Sequence, residues 1–270
     1  MSDKIAFIGG SGIYNLGFLK NKNNVRVSTP YGLVEIIKSD ISNKQVFFMP
    51  RHGSRHTLLP SMVNYRANIA ALKILGIKKI IAAAAVGSLR REMPPGSMVI
   101  LDQFIDQTRG RITTFYSGEG HPVIHTDFTE PYCPGLRKLL ITECVKSGNN
   151  FSSTGTYVTT DGPRFETPAE IRAFARMGGD LVGMTNVPEV TLAREAGLCY
   201  ATVGLVTNYA AGISPNVLTH EEVLEAMEEH GKKVNELFLA CINGLPEEHD
   251  CNCAISGKHF KVEGTIEEDD

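Results

Sequence analysis

Residues 4–14 read KIAFIGGSGIY: an apolar run, then three glycines in four positions with Ser11 among them. The apolar run predicts a buried strand over 5–8, and the glycines predict a tight turn after it. What that turn holds decides which kind of α/β protein this is. A dinucleotide fold needs G-x-G-x-x-G opening a helix, with an acidic residue about twenty positions further on. Here Gly10-Ser11-Gly12 runs into Ile13, Tyr14 and Asn15, and NKNNV stands at 21–25, where the second strand and its acid belong. The loop argues against a nucleotide or NAD. A plain turn and a small anion nest, with glycine N–H groups and the Ser11 hydroxyl as donors, both remain open.

Working outward, VEIIK (34–38) and QVFFM (45–49) predict a hairpin across SDISN. Val63, Ala67, Ala70 and Ile74 recur at helical spacing over 61–75, and Gly76 ends that run. KKIIAAAAVGS (78–88) and SMVILDQFID (97–106) predict two strands, followed by a helix over 135–147 and strands in TGTYVTT, DLVGM and LCYATVGLVT. A short helix is expected from Pro188. Two capping boxes, TPAE (167–170) and THEE (219–222), open further helices. Strands and helices alternate without a linker or repeat, which predicts one α/β domain over 1–246 and a polar, frayed C-terminal tail over 247–270.

The chain has 270 residues, 42% hydrophobic and 21% charged, with a net charge of −3. That balance gives no reason to expect nucleic acid or a membrane surface as partner. The start MSDKIAF lacks the pattern of a secretion signal, and a cytoplasmic protein is expected. Cys133, Cys144, Cys199 and Cys241 read as small core residues. Cys251-Asn-Cys253 has poor spacing for zinc, and a redox pair, a disulfide or a metal-binding tail is left open. No metal site is assigned.

Polar groups collect where strands end, which is where α/β sites form. PRHGSRH (50–56) supplies Arg51 and His52, an oxyanion fork with a second donor, and then Arg55 and His56. His52 and His56 are four apart, but Pro50, Gly53 and the missing glutamate argue against a zinc helix. The small residues around Ala84 and Ala85 let a ligand approach backbone amides. DGPRFETPAE places Phe165 and Glu166 before a capped helix; GMTNVPEV and VTNYAAG place Thr185 and Asn208 at strand ends. A solvated basic loop, close packing and a helix-dipole carboxylate are the plain alternatives for these stretches.

Taken together, IGGSGIY, TPYG, RHG, NYRANIAALK, AVGSL, DQFID, FTEPYCP, GPRFET, MTNVPE and CYAT resemble the purine nucleoside phosphorylase family of trimeric type, and its methylthioadenosine phosphorylase branch most closely. The resemblance implies a distorted mixed sheet flanked by helices, assembly as a homotrimer or homohexamer, and phosphorolysis of purine nucleosides in purine salvage. It implies no cofactor, with inorganic phosphate as co-substrate. Carried over by motif, phosphate contacts fall on Ser11, Arg51, His52, Ala84, Ala85 and Thr185, with Arg51, His52 and Asn208 catalytic. His56 and Met184 border the sugar and Phe165 the base. Ala84 stands where the family often has Thr or Ser, so one hydroxyl to phosphate is lost.

The base pocket departs from that branch. Adenine-handling relatives read D-Y-D where this chain has Asn208-Tyr209-Ala210, and serine where it has Glu166. Asparagine can donate to a 6-oxo group and accept from protonated N7, and Glu166 would accept from N1–H, which adenine lacks. His220 stands where methylthio-specific members have a small apolar residue, and a histidine suits a 5′-hydroxyl. Inosine and guanosine are the expected substrates; methylthioinosine or methylthioadenosine is the alternative.

Overall fold

The computed structural model describes residues 4–10, 12–13, 16–53, 57–116, 123–214, 219–246 and 250–268, and of His220 the backbone. The first strands are β1 (Lys4–Gly9), β2 (Asn23–Thr29), β3 (Gly32–Ile41) and β4 (Lys44–Pro50). Helix α1 (Tyr65–Ile74) leads into β5 (Lys79–Ser88), β6 (Met98–Ile100) and β7 (Gln103–Asp106). Next come α2 (Pro134–Ser147), β8 (Phe151–Ser152), β9 (Thr156–Thr159), α3 (Pro168–Arg176), β10 (Leu181–Gly183) and α4 (Asn186–Glu195). They are followed by β11 (Cys199–Tyr209), α5 (His220–Gly244), α6 (Cys253–Ser256) and β12 (Thr265–Glu268).

Side-chain alternation builds two large cores on one mixed sheet, beside a third, smaller cluster in which Ile171 and Phe174 of α3 meet Val158 and Val182. In β1, Ile5 and Phe7 join the core beneath α2 and α5, while Ala6 and Ile8 join the core beneath α1 and α4. β5 does the same: Ile81 and Ala83 face one way, Ile80, Ala82, Ala84 and Val86 the other. The path of the sheet is β12-β2-β3-β4-β1-β5-β10-β9-β7, and β11 lies along the remaining edge of β5.

β5 is where the sheet splits. β11 pairs with it in parallel from Lys79 to Ser88. On the opposite edge, parallel β1 covers Lys79–Ala82 and antiparallel β10 covers Gly87 and Ser88. Ala83–Val86 therefore have a strand neighbour on the β11 side alone. At the gap between the ends of β1 and β10, Ala84, Ala85 and Val86 line a cavity. A run of small residues tolerates this because little side chain stands between the backbone and whatever fills the gap.

The hairpin forms as expected, with β3 and β4 antiparallel and joined at Ser42 and Asn43, whose φ values of 49° and 62° suit a tight primed turn. The helix expected over 61–75 begins later, at Tyr65. Pro60–Met62 forms a separate 3₁₀ turn, and the Asn64 side chain caps α1 by accepting from the Ala67 N–H. Both capping boxes open helices; at α3 both reciprocal bonds are present, and at α5 Thr219 accepts from the Glu222 N–H.

Three expectations change. The run 97–106 is two strands, because Asp102 turns aside to accept from the Gly155 N–H, and β6 then pairs with β11 and β8 while β7 pairs with β9. Over 250–268 the polar C-terminal stretch is not frayed: α6 packs near α4, and β12 adds an antiparallel strand to β2. A disulfide at the C-N-C motif is not formed, all six cysteines being thiols. Among the described residues no helix is long and apolar enough to cross a membrane.

Candidate active site

The split in β5 opens a cavity of about 430 Å³. Its walls come from the β1 loop, the end of β4, β5, the loop before α3, the end of β10 and the end of β11. Arg51, His52, Ala84, Ala85, Phe165, Glu166, Met184, Thr185, Asn208 and Ala210, all picked out in the sequence, line this one space. Ser11 and His56 lie outside the described residues, as does the His220 side chain. Tyr209 is not among the lining residues; its hydroxyl donates to the Arg91 carbonyl at 3.1 Å.

Arg51 is the fixed charge of the site. It is 2% exposed, and its Nε and Nη2 donate to the two carboxylate oxygens of Glu189 at 2.7 and 2.8 Å. Nη1 donates to the carbonyl of Ala83, in the segment of β5 that lacks a neighbour on that edge. Burial pulls the Arg51 pKa down, and the Glu189 carboxylate more than offsets this, so the guanidinium is held charged above the ordinary arginine value. Five N–H donors less these three leave two for a ligand in the cavity. Glu189 is fully buried and accepts a further bond from the Tyr200 hydroxyl at 2.7 Å. Burial, with that carboxylate beside it, keeps the Tyr200 hydroxyl protonated well above the usual phenol range.

His52 follows Arg51 and turns its Nδ1 to the Leu58 carbonyl at 2.9 Å. A carbonyl accepts only, so Nδ1 carries the proton and Nε2 is directed elsewhere. Its direction is given by Gly10: a Cβ there would stand 2.7 Å from Arg51 Nη1 and 3.8 Å from His52 Nε2. The second glycine of the opening loop is thus required by close approach to a guanidinium already pinned at both ends. Glycine loop, arginine and histidine converge on the open segment of β5, as an oxyanion site requires.

The other end of the cavity is polar in a different way. Glu166 accepts from the Thr160 hydroxyl at 2.6 Å through Oε1, leaving Oε2 lone pairs for a ligand. The loop carrying it is anchored from the far side, where Arg164 pairs with Glu170 at 2.7 Å. That arginine, then the Thr167 N–H, pulls the Glu170 carboxyl down to about 2. Asn208 sits just past a register shift between Val206 and the strand end, and the irregularity turns both Thr207 and Asn208 toward the cavity. Thr207 Oγ1 donates to Asn208 Oδ1 at 2.8 Å, and Asn208 Nδ2 donates to the Tyr209 carbonyl at 2.9 Å. One N–H and one lone pair of the amide are left for a ligand.

Thr185 and Met184 stand between β10 and α4, but not as a plain helix start. Val187 is extended (φ −104°, ψ 127°) within α4, and the Thr185 side chain makes no capping bond. Arg111 holds that segment by donating to the carbonyls of Met184 at 2.7 Å and Val187 at 2.9 Å. It also reaches the carbonyls of Thr160 and Asp161, so one side chain ties the Met184–Thr185 wall to the loop behind Glu166.

Sequence reasoning missed Glu189, Tyr200, Thr207, Thr160 and Arg111. Glu189 alone left a trace, as the one charged residue in the eight-residue stretch NVPEVTLA.

A family model described as "Phosphorylase superfamily" matches residues 4–243. A protein of Dictyoglomus turgidum named "Probable 6-oxopurine nucleoside phosphorylase" is 52% identical over 97% of this chain and 100% of its own length. One of Pyrococcus furiosus, named "6-oxopurine nucleoside phosphorylase", is 52% identical over 93% of this chain and 96% of its own. Among solved structures, methylthioadenosine phosphorylase of Schistosoma mansoni in complex with adenine superposes with a TM-score of 0.88 at 35% identity, covering 92% of this chain and 93% of that one.

Proposed function

The chain belongs to the phosphorylase superfamily, and on that footing we propose that it cleaves 6-oxopurine nucleosides, inosine and guanosine, with inorganic phosphate. The products are the free base and ribose 1-phosphate, and the reaction needs no cofactor. The observation that carries the base preference is the pair of polar groups at one end of the cavity, Glu166 with a free carboxylate oxygen and Asn208 with one unused N–H and one unused lone pair.

Phosphate binds at the opposite end, against the two remaining Arg51 N–H groups, His52 Nε2, the backbone at Ala84 and Ala85, and Thr185. Ser11 completes that set from the opening loop. Breaking the N-glycosidic bond puts positive charge on the sugar and negative charge on the departing base. Phosphate held by a buried cation stabilises the former and stands ready to attack C1′. Asn208 donates to O6 and accepts from N7–H as charge builds on the base, and Glu166 accepts from N1–H. Phe165 covers the base and Met184 the sugar, with His56 and His220 toward the ribose hydroxyls. The protein works in the cytoplasm as a trimer or a dimer of trimers, as the family resemblance implies.

One observation favours a second reading. Val223, in the first turn of α5, lines the cavity beside Leu58, Leu59 and Pro60, an apolar surface that suits a 5′-methylthio group. Comparing kcat/KM for inosine, guanosine, adenosine, methylthioinosine and methylthioadenosine separates the two. Inosine and guanosine are expected to lead adenosine by more than about 100-fold, since setting the remaining oxygen of the buried Glu166 carboxylate against the adenine N1 lone pair costs about 3 kcal/mol or more. Methylthioinosine ahead of inosine would transfer the proposal to methylthio nucleosides, and adenosine at parity would overturn the roles of Glu166 and Asn208.

A further inference from the structure

Far from the cavity, four thiols meet. Cys133 caps α2, Cys199 opens β11, Cys251 precedes α6 and Cys253 begins it. Their Sγ atoms all lie within 4.8 Å of one another, and those of Cys199 and Cys251 are 3.6 Å apart. A disulfide would need about 2.05 Å. Four sulfurs at about 2.3 Å from a tetrahedral zinc-class ion stand about 3.8 Å from each other; the Cys199–Cys251 pair, at 3.6 Å, is already close to that spacing, and the 4.8 Å limit on the others leaves only a small contraction to reach it. The C-x-C spacing that looks poor for zinc in the sequence is only half of the ligand set; the other half comes from two distant elements.

The surroundings suit a charged tetrathiolate. Cys133 and Cys253 are each 1% exposed, and Cys199 and Cys251 are half-buried, so the centre of the cluster is shielded while one side stays open to an entering ion. Arg194 Nη1 donates to Cys253 Sγ at 3.4 Å, a cation placed against the sulfurs as an outer partner of the thiolates. Asn208 stands at the other end of β11 from Cys199, roughly 30 Å away at the ordinary rise of a strand, so the cluster does not belong to the active site.

We propose that Cys133, Cys199, Cys251 and Cys253 form a structural site for one zinc-class divalent cation, which ties the C-terminal segment to the core. The four sulfurs close the coordination shell, leaving no position for substrate or water. Binding replaces thiol protons, released to solvent, with metal–sulfur bonds, and no electron is transferred. The site clamps the place where Gly257 lies against Gly197, so close that a Cβ on Gly257 would stand 2.5 Å from the Gly197 Cα. Through that clamp, β12 is held on β2.

The test uses the full chain, purified anaerobically under reducing conditions and titrated with Co²⁺ and then Zn²⁺. One equivalent of Co²⁺ should bind with the visible and thiolate charge-transfer absorption of a tetrahedral sulfur site, and Zn²⁺ should displace it. Zn²⁺ should raise Tm by several degrees and leave kcat for inosine within about 2-fold, a readout independent of which nucleoside is preferred. Cys251→Ser, at a half-buried position, should weaken Co²⁺ binding at least about 10-fold, and Cys133→Ser should do the same if it folds. Failure of the reduced chain to take up metal would overturn the proposal. So would uptake that Cys251→Ser leaves unchanged, or a non-reduced mass showing these cysteines joined in disulfides in the anaerobic protein.

Discussion

Asn208→Asp is expected to lower kcat/KM for inosine by about 10- to 100-fold, the worth of one or two buried hydrogen bonds of about 1–3 kcal/mol each. In the wild type the amide is oriented from within the protein: Oδ1 accepts from Thr207 and Nδ2 donates to the Tyr209 carbonyl. That leaves an N–H for O6 and a lone pair for N7–H. An aspartate sets an anionic oxygen against both the Tyr209 carbonyl and O6, so two attractive contacts become repulsive. Adenosine gains what inosine loses, because the carboxylate accepts from a 6-amino group. Glu166 still opposes adenine in that variant. Glu166→Ser combined with Asn208→Asp is therefore expected to bring adenosine above inosine. Inosine turnover unchanged by Asn208→Asp, in protein whose Tm has not moved, would remove Asn208 from the base site.

Glu189→Gln is expected to produce the largest loss of stability. Glu189 and Arg51 are both almost wholly buried and share two hydrogen bonds, and removing one charge of such a pair costs about 3–5 kcal/mol because the other is left without compensation. At about 2–4 °C per kcal/mol for a chain of this size, Tm should fall by roughly 6–20 °C. The KM for phosphate should rise by about 10-fold or more, since the guanidinium loses the partner that aims its remaining donors, while the KM for inosine changes little. Arg51→Met with Glu189→Leu removes both charges and is expected to recover most of the stability with phosphate turnover abolished. A Tm within about 2 °C of wild type in Glu189→Gln would mean the pair neither organises nor stabilises the site.

How far the site was legible in the sequence depends on the range of the interactions that make it. Strand β1, the β3–β4 hairpin, β5 and the two capping boxes follow from local pattern, and they are where the sequence predicts them. β2 was missed because Val25 and Val27 alternate with Asn, Arg and Ser, so only two of its seven residues are buried and the pattern looks like loop. The break between β6 and β7 is set by which strands lie alongside, and nothing in MVILDQFI marks it apart from Asp102. Ten of the predicted pocket residues line one cavity: eight sit where a strand or its loop ends, a position the motifs reveal, and Ala84 and Ala85 lie within β5, where the sheet splits. The partners that hold them are another matter. Glu189 meets Arg51 and Arg111 meets Thr160 only through the folding of distant segments, and the register shift that turns Thr207 inward leaves no mark in LVTNY. Tyr209 was placed in the site by its neighbours in sequence, but strand geometry sends it to the Arg91 carbonyl.

The most direct measurement follows hypoxanthine release from inosine as phosphate is varied from none to saturation, with the sugar product identified. Saturable dependence on phosphate, with ribose 1-phosphate formed in step with hypoxanthine, is the predicted result. Hypoxanthine released at the same rate without phosphate, with free ribose as the product, would make the enzyme a hydrolase and contradict an anion site built on Arg51 and His52.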